Sequence, residues 1–198
     1  MNPSIYPWYP WQTDDWRRIQ ALRARLPHAL LLHGPAGIGK FDFACSVAAS
    51  LMCETPLNGG QPCGACAACR WFAHGTHPDV RLVCPENKAD SAKGGRMTSS
   101  ALVSEKAHAQ RAEIKIEQVR ALMDFCALSA HRNGLRVVIL APAEALNTVA
   151  ANTLLKTLEE PPEGVVFLLV CARLDRLPAT IISRCQRWPM RAPASAAA

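Results

Sequence analysis

The sequence of 198 residues contains no run of about 18 apolar residues, so it predicts no membrane-spanning helix. Its first residues also lack the basic flank followed by an apolar stretch that marks a secretory signal. Charged residues make up only 19% of the chain and hydrophobic residues 49%, a balance that excludes a wholly disordered or fibrous protein. We therefore expect a globular protein of the cytoplasm with one main domain.

The positive excess of the chain is small, with a net charge of +6 at pH 7. This charge permits contact with nucleic acid or with acidic partners but requires neither. The chain has nine cysteines and no secretory signal. That combination favours metal binding or buried thiols over disulfides.

Short apolar runs alternate with segments of helical periodicity, which predicts an α/β protein with a parallel sheet between two helical layers. The predicted strands are Ala29–His33, Val80–Cys84, Arg136–Ala141, Val165–Cys171 and Gln186–Met190. The predicted helices are Asp14–Leu26, Lys40–Cys53, Ile116–Ala130, Thr148–Glu159 and Pro178–Arg184. Residues 86–112 are polar and small, so we expect a flexible loop there, and residues 193–198 predict a disordered tail.

A phosphate-binding loop is predicted between the first strand and the helix that follows it. Residues 34–40, GPAGIGK, match the P-loop pattern G-x-x-x-x-G-K. Gly34, Gly37 and Gly39 would let backbone N–H groups approach phosphate, and Lys40 would reach the terminal phosphates. The flanking strand and helix favour a P-loop over an ordinary glycine-rich turn.

The groups that hold Mg²⁺ in P-loop ATPases are missing from the sequence. Phe41 stands where a Ser or Thr hydroxyl would coordinate the metal. The third strand ends in Ala141 and Pro142 without an Asp at its tip, and we expect Glu144 to open the next helix. Because phosphoryl transfer depends on positioning and charge neutralisation, we expect no ATP hydrolysis. Weak nucleotide binding by Lys40 and the backbone amides stays open.

Four cysteines after the P-loop helix have the spacing C-x9-C-x2-C-x2-C: Cys53, Cys63, Cys66 and Cys69. Thiolates at this spacing can converge on one ion, and four of them suit tetrahedral Zn²⁺. We therefore predict an inserted zinc-binding knuckle at residues 53–72. Four thiolates would leave no open position for water, which indicates a structural metal.

Two alternatives to zinc are buried reduced thiols and an iron–sulfur cluster. A ferredoxin-type run would continue with Cys at position 73 and then Pro, but the sequence has Ala73 and His74. We expect His74 and His77 at the surface or at a helix end. The remaining cysteines fall on apolar elements and are predicted core residues: Cys45, Cys84, Cys126, Cys171 and Cys185.

Further motifs, taken with the P-loop and the knuckle, indicate one family. Residues 150–162 read AANTLLKTLEEPP, residues 183–185 read Ser-Arg-Cys, and residues 75–79 read GTHPD. Together these resemble the bacterial DNA polymerase III clamp loader, of the AAA+ class, whose helix motif is A-x-N-A-L-L-K-x-L-E-E-P-P. The resemblance covers roughly residues 6–192, and we assign residues 1–192 to one AAA+ P-loop-like domain.

The resemblance also implies a role. ATPase subunits of that family keep Lys-Ser/Thr in the P-loop and Asp-Glu after the third strand, so the departures at Phe41, Ala141 and Pro142 resemble its non-hydrolysing stator subunit. Arg184 is then implied to act in trans, as an arginine finger toward ATP on a neighbouring subunit. The family's lid and collar domains are absent from this chain, which we expect to be the first domain only.

The implied partners are the gamma/tau ATPase subunits and the delta subunit, and through the complex the sliding clamp and primer-template DNA. Two other functions stay open from the sequence. The chain could be an active or residual ATPase of the gamma/tau type with unfamiliar Mg²⁺ ligands. It could also be a knuckle that binds nucleic acid, although residues 53–72 contain a single Arg and no Lys.

Overall fold

The computed structural model describes residues 8–85, 113–131 and 134–193. Within these ranges five strands form one sheet in the order β2-β3-β4-β1-β5, and every neighbouring pair is parallel. The strands are β1 (Ala29–His33), β2 (Val80–Val83), β3 (Arg136–Leu140), β4 (Val165–Cys171) and β5 (Gln186–Pro189). The predicted loop at 86–112 and residues 194–198 of the predicted tail lie outside the described residues.

The helices alternate with the strands, apart from one addition. They are α1 (Thr13–Ala21), α2 (Lys40–Met52), α3 (Ala67–His74), α4 (Ile116–Ala127), α5 (Thr148–Glu159) and α6 (Ala179–Arg184). Helix α1 stops before the predicted Leu26 because the chain tightens into a 3-10 turn at Arg23–Arg25. The sequence analysis does not predict α3, which lies partly inside the knuckle. None of the helices in the described ranges is long and apolar enough to cross a membrane.

Apolar side chains cover both faces of the sheet, which confirms the three-layer α/β architecture. Along β1, Leu30 and Leu32 join the cluster formed with α1, α2 and α3, whereas Leu31 joins the cluster formed with α4, α5 and α6. This two-residue alternation between two buried faces explains why the strand is an unbroken apolar run. Phe72 of α3 is fully buried in the first cluster, so the inserted segment contributes to the core.

The cysteines outside the knuckle are partly as predicted. Four of them are buried among apolar side chains: Cys45, Cys126, Cys171 and Cys185. The prediction for Cys84 is wrong, because β2 ends at Val83 and the Cys84 side chain is only half-buried.

A buried ion pair joins the segment before β2 to the start of β3. Asp79 and Arg136 are almost fully buried, and Arg136 Nε lies 3.9 Å from Asp79 Oδ1. The same carboxylate oxygen accepts a hydrogen bond from the backbone N–H of His131 at 2.8 Å. Arg136 also donates to the carbonyl oxygens of Phe125 and Ser129. Both buried charges are therefore compensated by groups from several segments.

We expect Asp79→Ala to lower the free energy of unfolding by about 3–5 kcal/mol, because it leaves the buried guanidinium of Arg136 without its carboxylate. Urea unfolding followed by circular dichroism measures this effect. Asp175→Ala is the matched control, since Asp175 pairs with Arg173 at the surface and its loss should hardly move the unfolding midpoint. Equal midpoints for the two variants would contradict the expectation.

Candidate functional site

The predicted P-loop connects the carboxyl end of β1 to α2. Gly37 and Gly39 have φ angles of 78° and 77°, a left-handed conformation that glycine adopts without strain. Gly39 is the residue before α2, and Lys40 is the first residue of that helix. The glycines therefore form the tight turn and open the helix as the P-loop pattern predicts.

The lysine of this loop is bound to the loop itself. Lys40 is buried, and its Nζ donates to the carbonyl oxygens of Gly34 at 2.9 Å and Pro35 at 2.5 Å. Burial lowers the pKa of Lys40, an effect that the charge of Glu144 opposes. The ammonium group thus has acceptors in its own backbone, in place of the phosphate oxygens that a P-loop lysine would bind.

An aromatic segment before α1 lies against the P-loop, an arrangement that the sequence analysis does not predict. Gln12 Nε2 donates to the carbonyl oxygens of Ile38 at 2.9 Å and Gly39 at 3.1 Å, and Trp11 Nε1 donates to Ile38 O at 3.3 Å. The Tyr9 and Trp11 rings are stacked with centroids 4.6 Å apart, and the Tyr9 ring covers the position where Gly39 would carry a side chain. The tryptophans grouped at the start of a chain otherwise poor in aromatic residues were the sequence signal from which this contact could have been predicted.

Phe41 and Ala141 are the positions at which the sequence departs from the Mg²⁺-binding pattern. Phe41 packs against the apolar core, and Ala141 follows directly after β3. The prediction for Glu144 is wrong, because it lies in a 3-10 turn and α5 begins only at Thr148. Glu144 Oε1 accepts hydrogen bonds from the backbone N–H groups of Ala172 and Arg173, at 2.9 and 3.2 Å. A carboxylate therefore does lie near Lys40, held there by the backbone after β4.

The four cysteines of the knuckle come together, as the spacing predicts. Their Sγ atoms all lie within 4.8 Å of one another, with Cys53 and Cys66 4.0 Å apart and Cys63 and Cys69 3.9 Å apart. A tetrahedral ion with metal–sulfur distances of about 2.3 Å requires sulfur–sulfur distances of about 3.8 Å. The cluster therefore has the ligand number and dimensions to hold a metal ion.

The thiols of this cluster differ in pKa, and therefore in how readily each becomes the thiolate that binds a metal. A hydrogen bond with the Thr55 side chain, helped by backbone N–H groups, lowers the pKa of the Cys63 thiol to about 6. Burial instead raises the pKa of the Cys53 and Cys69 thiols. Because a coordinated cation favours thiolate, a metal would supply the charge that the buried sulfurs otherwise lack.

The knuckle is attached to the domain through its glycine turn. Trp16 Nε1 on α1 donates to the carbonyl oxygen of Gly59 at 2.9 Å, and Ser50 Oγ on α2 donates to that of Gly60 at 2.5 Å. The Cys66 side chain accepts from Cys69 N at the start of α3. The cysteine cluster thus lies in the connection between α2 and β2, outside the sheet order.

Arg184 is the last residue of α6, immediately before Cys185 and β5. Its side chain forms an ion pair with Glu159, the last residue of α5. In the parallel register Leu30 is paired with Gln186 and His33 with Pro189. Arg184 therefore lies at the amino end of the sheet, whereas the P-loop leaves the carboxyl end of the neighbouring strand. The structure does not bring these two predicted sites together.

The parallel sheet and the loop between β1 and α2 have counterparts in solved structures. A DNA polymerase III gamma subunit-related protein from Thermotoga maritima superposes with a TM-score of 0.56 at 21% identity, covering 93% of this chain and 47% of that one. A RuvB variant from Thermotoga maritima gives a TM-score of 0.50 at 15% identity, covering 95% and 48%. These likenesses support the fold.

Sequence comparison then defines the family. A profile described as DNA polymerase III, delta subunit, matches residues 13–194, and the chain belongs to that family. The DNA polymerase III subunit delta' of Pseudomonas aeruginosa is 42% identical over 96% of this chain and 50% of its own length. The corresponding values for subunit delta' of Escherichia coli are 33%, 90% and 47%, and for its subunit tau 33%, 85% and 22%. The chain spans about half the length of the delta' relatives.

We expect Cys66→Ser to reduce the bound metal from about one ion per chain to a small fraction, because three thiolates cannot complete a tetrahedral site. Elemental analysis of the purified variant measures the loss, and limited proteolysis should show cleavage within residues 53–74. The far-ultraviolet circular dichroism of the sheet and outer helices should persist, since the cluster lies outside the sheet. Cys84→Ser, at a cysteine outside the cluster, should keep its metal; loss from both variants would contradict the assignment.

Proposed function

We propose that the chain is a non-hydrolysing stator subunit of the bacterial replicative clamp loader. In this proposal Arg184 acts as an arginine finger toward ATP on a neighbouring ATPase subunit of the gamma/tau type. Together with the delta subunit, the complex would load the sliding clamp onto primer-template DNA. Membership of the family and the names of the delta' and tau relatives support the proposal that the chain acts in the clamp-loader complex. The position of Arg184 supports the particular role.

The main observation that supports this role is the separation of Arg184 from the P-loop of its own chain. The register from Gln186 to Pro189 covers four residues of β5, and the three steps between them measure roughly 10 Å along the sheet. Since Arg184 precedes this span and the P-loop follows its far end on β1, Arg184 and the local P-loop lie at opposite edges of the sheet. A guanidinium placed there can stabilise phosphoryl charge only on another molecule.

The state of the P-loop supports a subunit that does not hydrolyse ATP. Lys40 donates to its own loop, Gln12 is bonded to the loop's carbonyl oxygens, and Phe41 offers no metal ligand. Catalysis of phosphoryl transfer rests on metal ions and fixed donors around the phosphates. A loop whose lysine is held by its own carbonyl oxygens, and whose next residue offers no metal ligand, would lack that machinery.

We further propose that the metal of the cysteine cluster is a structural Zn²⁺. Four sulfur ligands at tetrahedral spacing suit zinc, and a closed sulfur shell leaves no position for a reacting water. The hydrogen bonds from backbone N–H groups to Cys53, Cys63 and Cys66 sulfurs would stabilise the thiolate form. The ion would hold α3 against α2 and so support the core at Phe72.

An ATPase of the gamma/tau type is the second candidate, and one observation favours it. Glu144 lies close enough to Lys40 to raise the lysine pKa, so an acidic group does neighbour the P-loop. Glu144 Oε1 is held by two backbone N–H groups, which leaves the other oxygen for the site. Phe41, however, stands where an active P-loop has the hydroxyl that coordinates Mg²⁺. We therefore favour the stator.

Titration of the purified chain with Mg-ATP tests the nucleotide site. We expect no phosphate release, and weak or absent heat of binding, because Lys40 and the loop are satisfied internally. Lys40→Ala should give the same release rate as the unaltered chain. Steady release that disappears in Lys40→Ala would contradict the stator and favour the gamma/tau type.

Reconstitution with the ATPase subunits tests the finger. We expect Arg184→Ala to fold normally and to reduce ATP turnover of the complex by at least about tenfold at the site it serves, since an arginine finger stabilises the transferring phosphoryl group. Arg176→Ala is the control, because Arg176 is exposed in a nearby turn and should leave turnover unchanged. Unchanged turnover in Arg184→Ala would overturn the assignment.

A further inference from the structure

The two terminal nitrogens of the Arg184 guanidinium bind groups of its own chain. Its Nη2 forms the ion pair with Glu159, and its Nη1 donates to Thr180 O at 3.0 Å and to Ser183 Oγ at 3.3 Å. Its Nε is buried and has no hydrogen-bond partner among the described residues. In this conformation each terminal nitrogen therefore has a partner within the chain.

The shape of a guanidinium explains why the contact with Glu159 affects the binding of an anion. An anion is bound bidentately either at the side edge, through Nε and Nη2, or at the end edge, through Nη1 and Nη2. The Nε atom of Arg184 is buried, so an anion arriving from another subunit can pair with two nitrogens only at the end edge. Nη2 of that edge is the atom that Glu159 binds, so the Glu159 carboxylate competes with a phosphate there.

The placement of Glu159 explains why it binds a cation so closely. It is the last residue of α5, where the helix dipole presents its negative end, and Glu160 follows it directly. A carboxylate in that position is destabilised unless a cation lies nearby, and Arg184 is that cation. The two side chains remain 45% and 32% exposed, so water can replace either partner and the pair can exchange.

We propose that Glu159 is a positioning residue that holds the Arg184 finger against its own α5–α6 junction until the phosphate of a neighbouring nucleotide displaces the carboxylate. The inference rests on the proposed function of Arg184. It assigns to Glu159 a competition with phosphate for one guanidinium nitrogen. The finger then engages only when a nucleotide is present to replace an existing ion pair.

The pairing is tested on the chain alone by the reactivity of Arg184 with phenylglyoxal, measured by peptide mass spectrometry. We expect Glu159→Gln to speed modification by at least about threefold, because an exposed ion pair protects by about that factor. Glu160→Gln, at the adjacent carboxylate, should react like the unaltered chain. Equal rates in all three proteins would overturn the proposal. Glu159→Lys, which repels the guanidinium, should show the same rise if the glutamine variant folds poorly.

The competition is tested in the reconstituted complex by ATP turnover across a range of ATP concentrations. We expect Glu159→Gln to lower the ATP concentration for half-maximal turnover by at least about threefold, whereas Glu160→Gln leaves it unchanged. If Arg184→Ala still reduces turnover but Glu159→Gln leaves this ATP concentration unchanged or raises it, the proposed competition is wrong. If Arg184→Ala had no effect, the proposed function itself would be wrong, and the two failures are thereby distinguished.

Discussion

The common direction of the five strands is the constraint on which the rest of the molecule depends. In a parallel sheet all carboxyl ends lie at one edge and all amino ends at the other, so loops of the two kinds are separated by the length of a strand. The P-loop follows β1 and Arg184 precedes β5, its direct neighbour. One chain therefore presents the P-loop at one edge and the Arg184 guanidinium at the opposite edge. The proposal that Arg184 serves an adjacent subunit depends on that separation.

The inserted knuckle shows how a segment outside the sheet is joined to the core. Its cysteine cluster lies in the connection between α2 and β2, and two backbone carbonyls at Gly59 and Gly60 bind side chains of α1 and α2. The Phe72 side chain packs in the apolar core. The ion pair between Asp79 and Arg136 joins the end of the segment to β3. Polar contacts fix the position of the insertion, whereas the apolar contact at Phe72 makes it part of the core.

The P-loop keeps its backbone form while its polar groups bind the protein itself. Positive φ angles at Gly37 and Gly39 preserve the turn, yet Lys40 and Gln12 satisfy carbonyl oxygens of the same loop. Arg184 is bound in a comparable way, by a carboxylate of the preceding helix. The difference is exposure: Lys40 is buried among its acceptors, whereas the Arg184 pair is open to water and can exchange.

Local sequence determined the elements, the P-loop turn and the membership of the cysteine cluster, because periodicity, glycine positions and ligand spacing act over a few residues. The bounds of β1, β4 and α5 agree with that pattern. Tertiary structure alone decided where Glu144 lies, that Gln12 binds carbonyl oxygens of the P-loop, and that Glu159 forms an ion pair with Arg184. These contacts join residues distant in sequence. Their partners are set by the packing of helices on a parallel sheet, which no local pattern records.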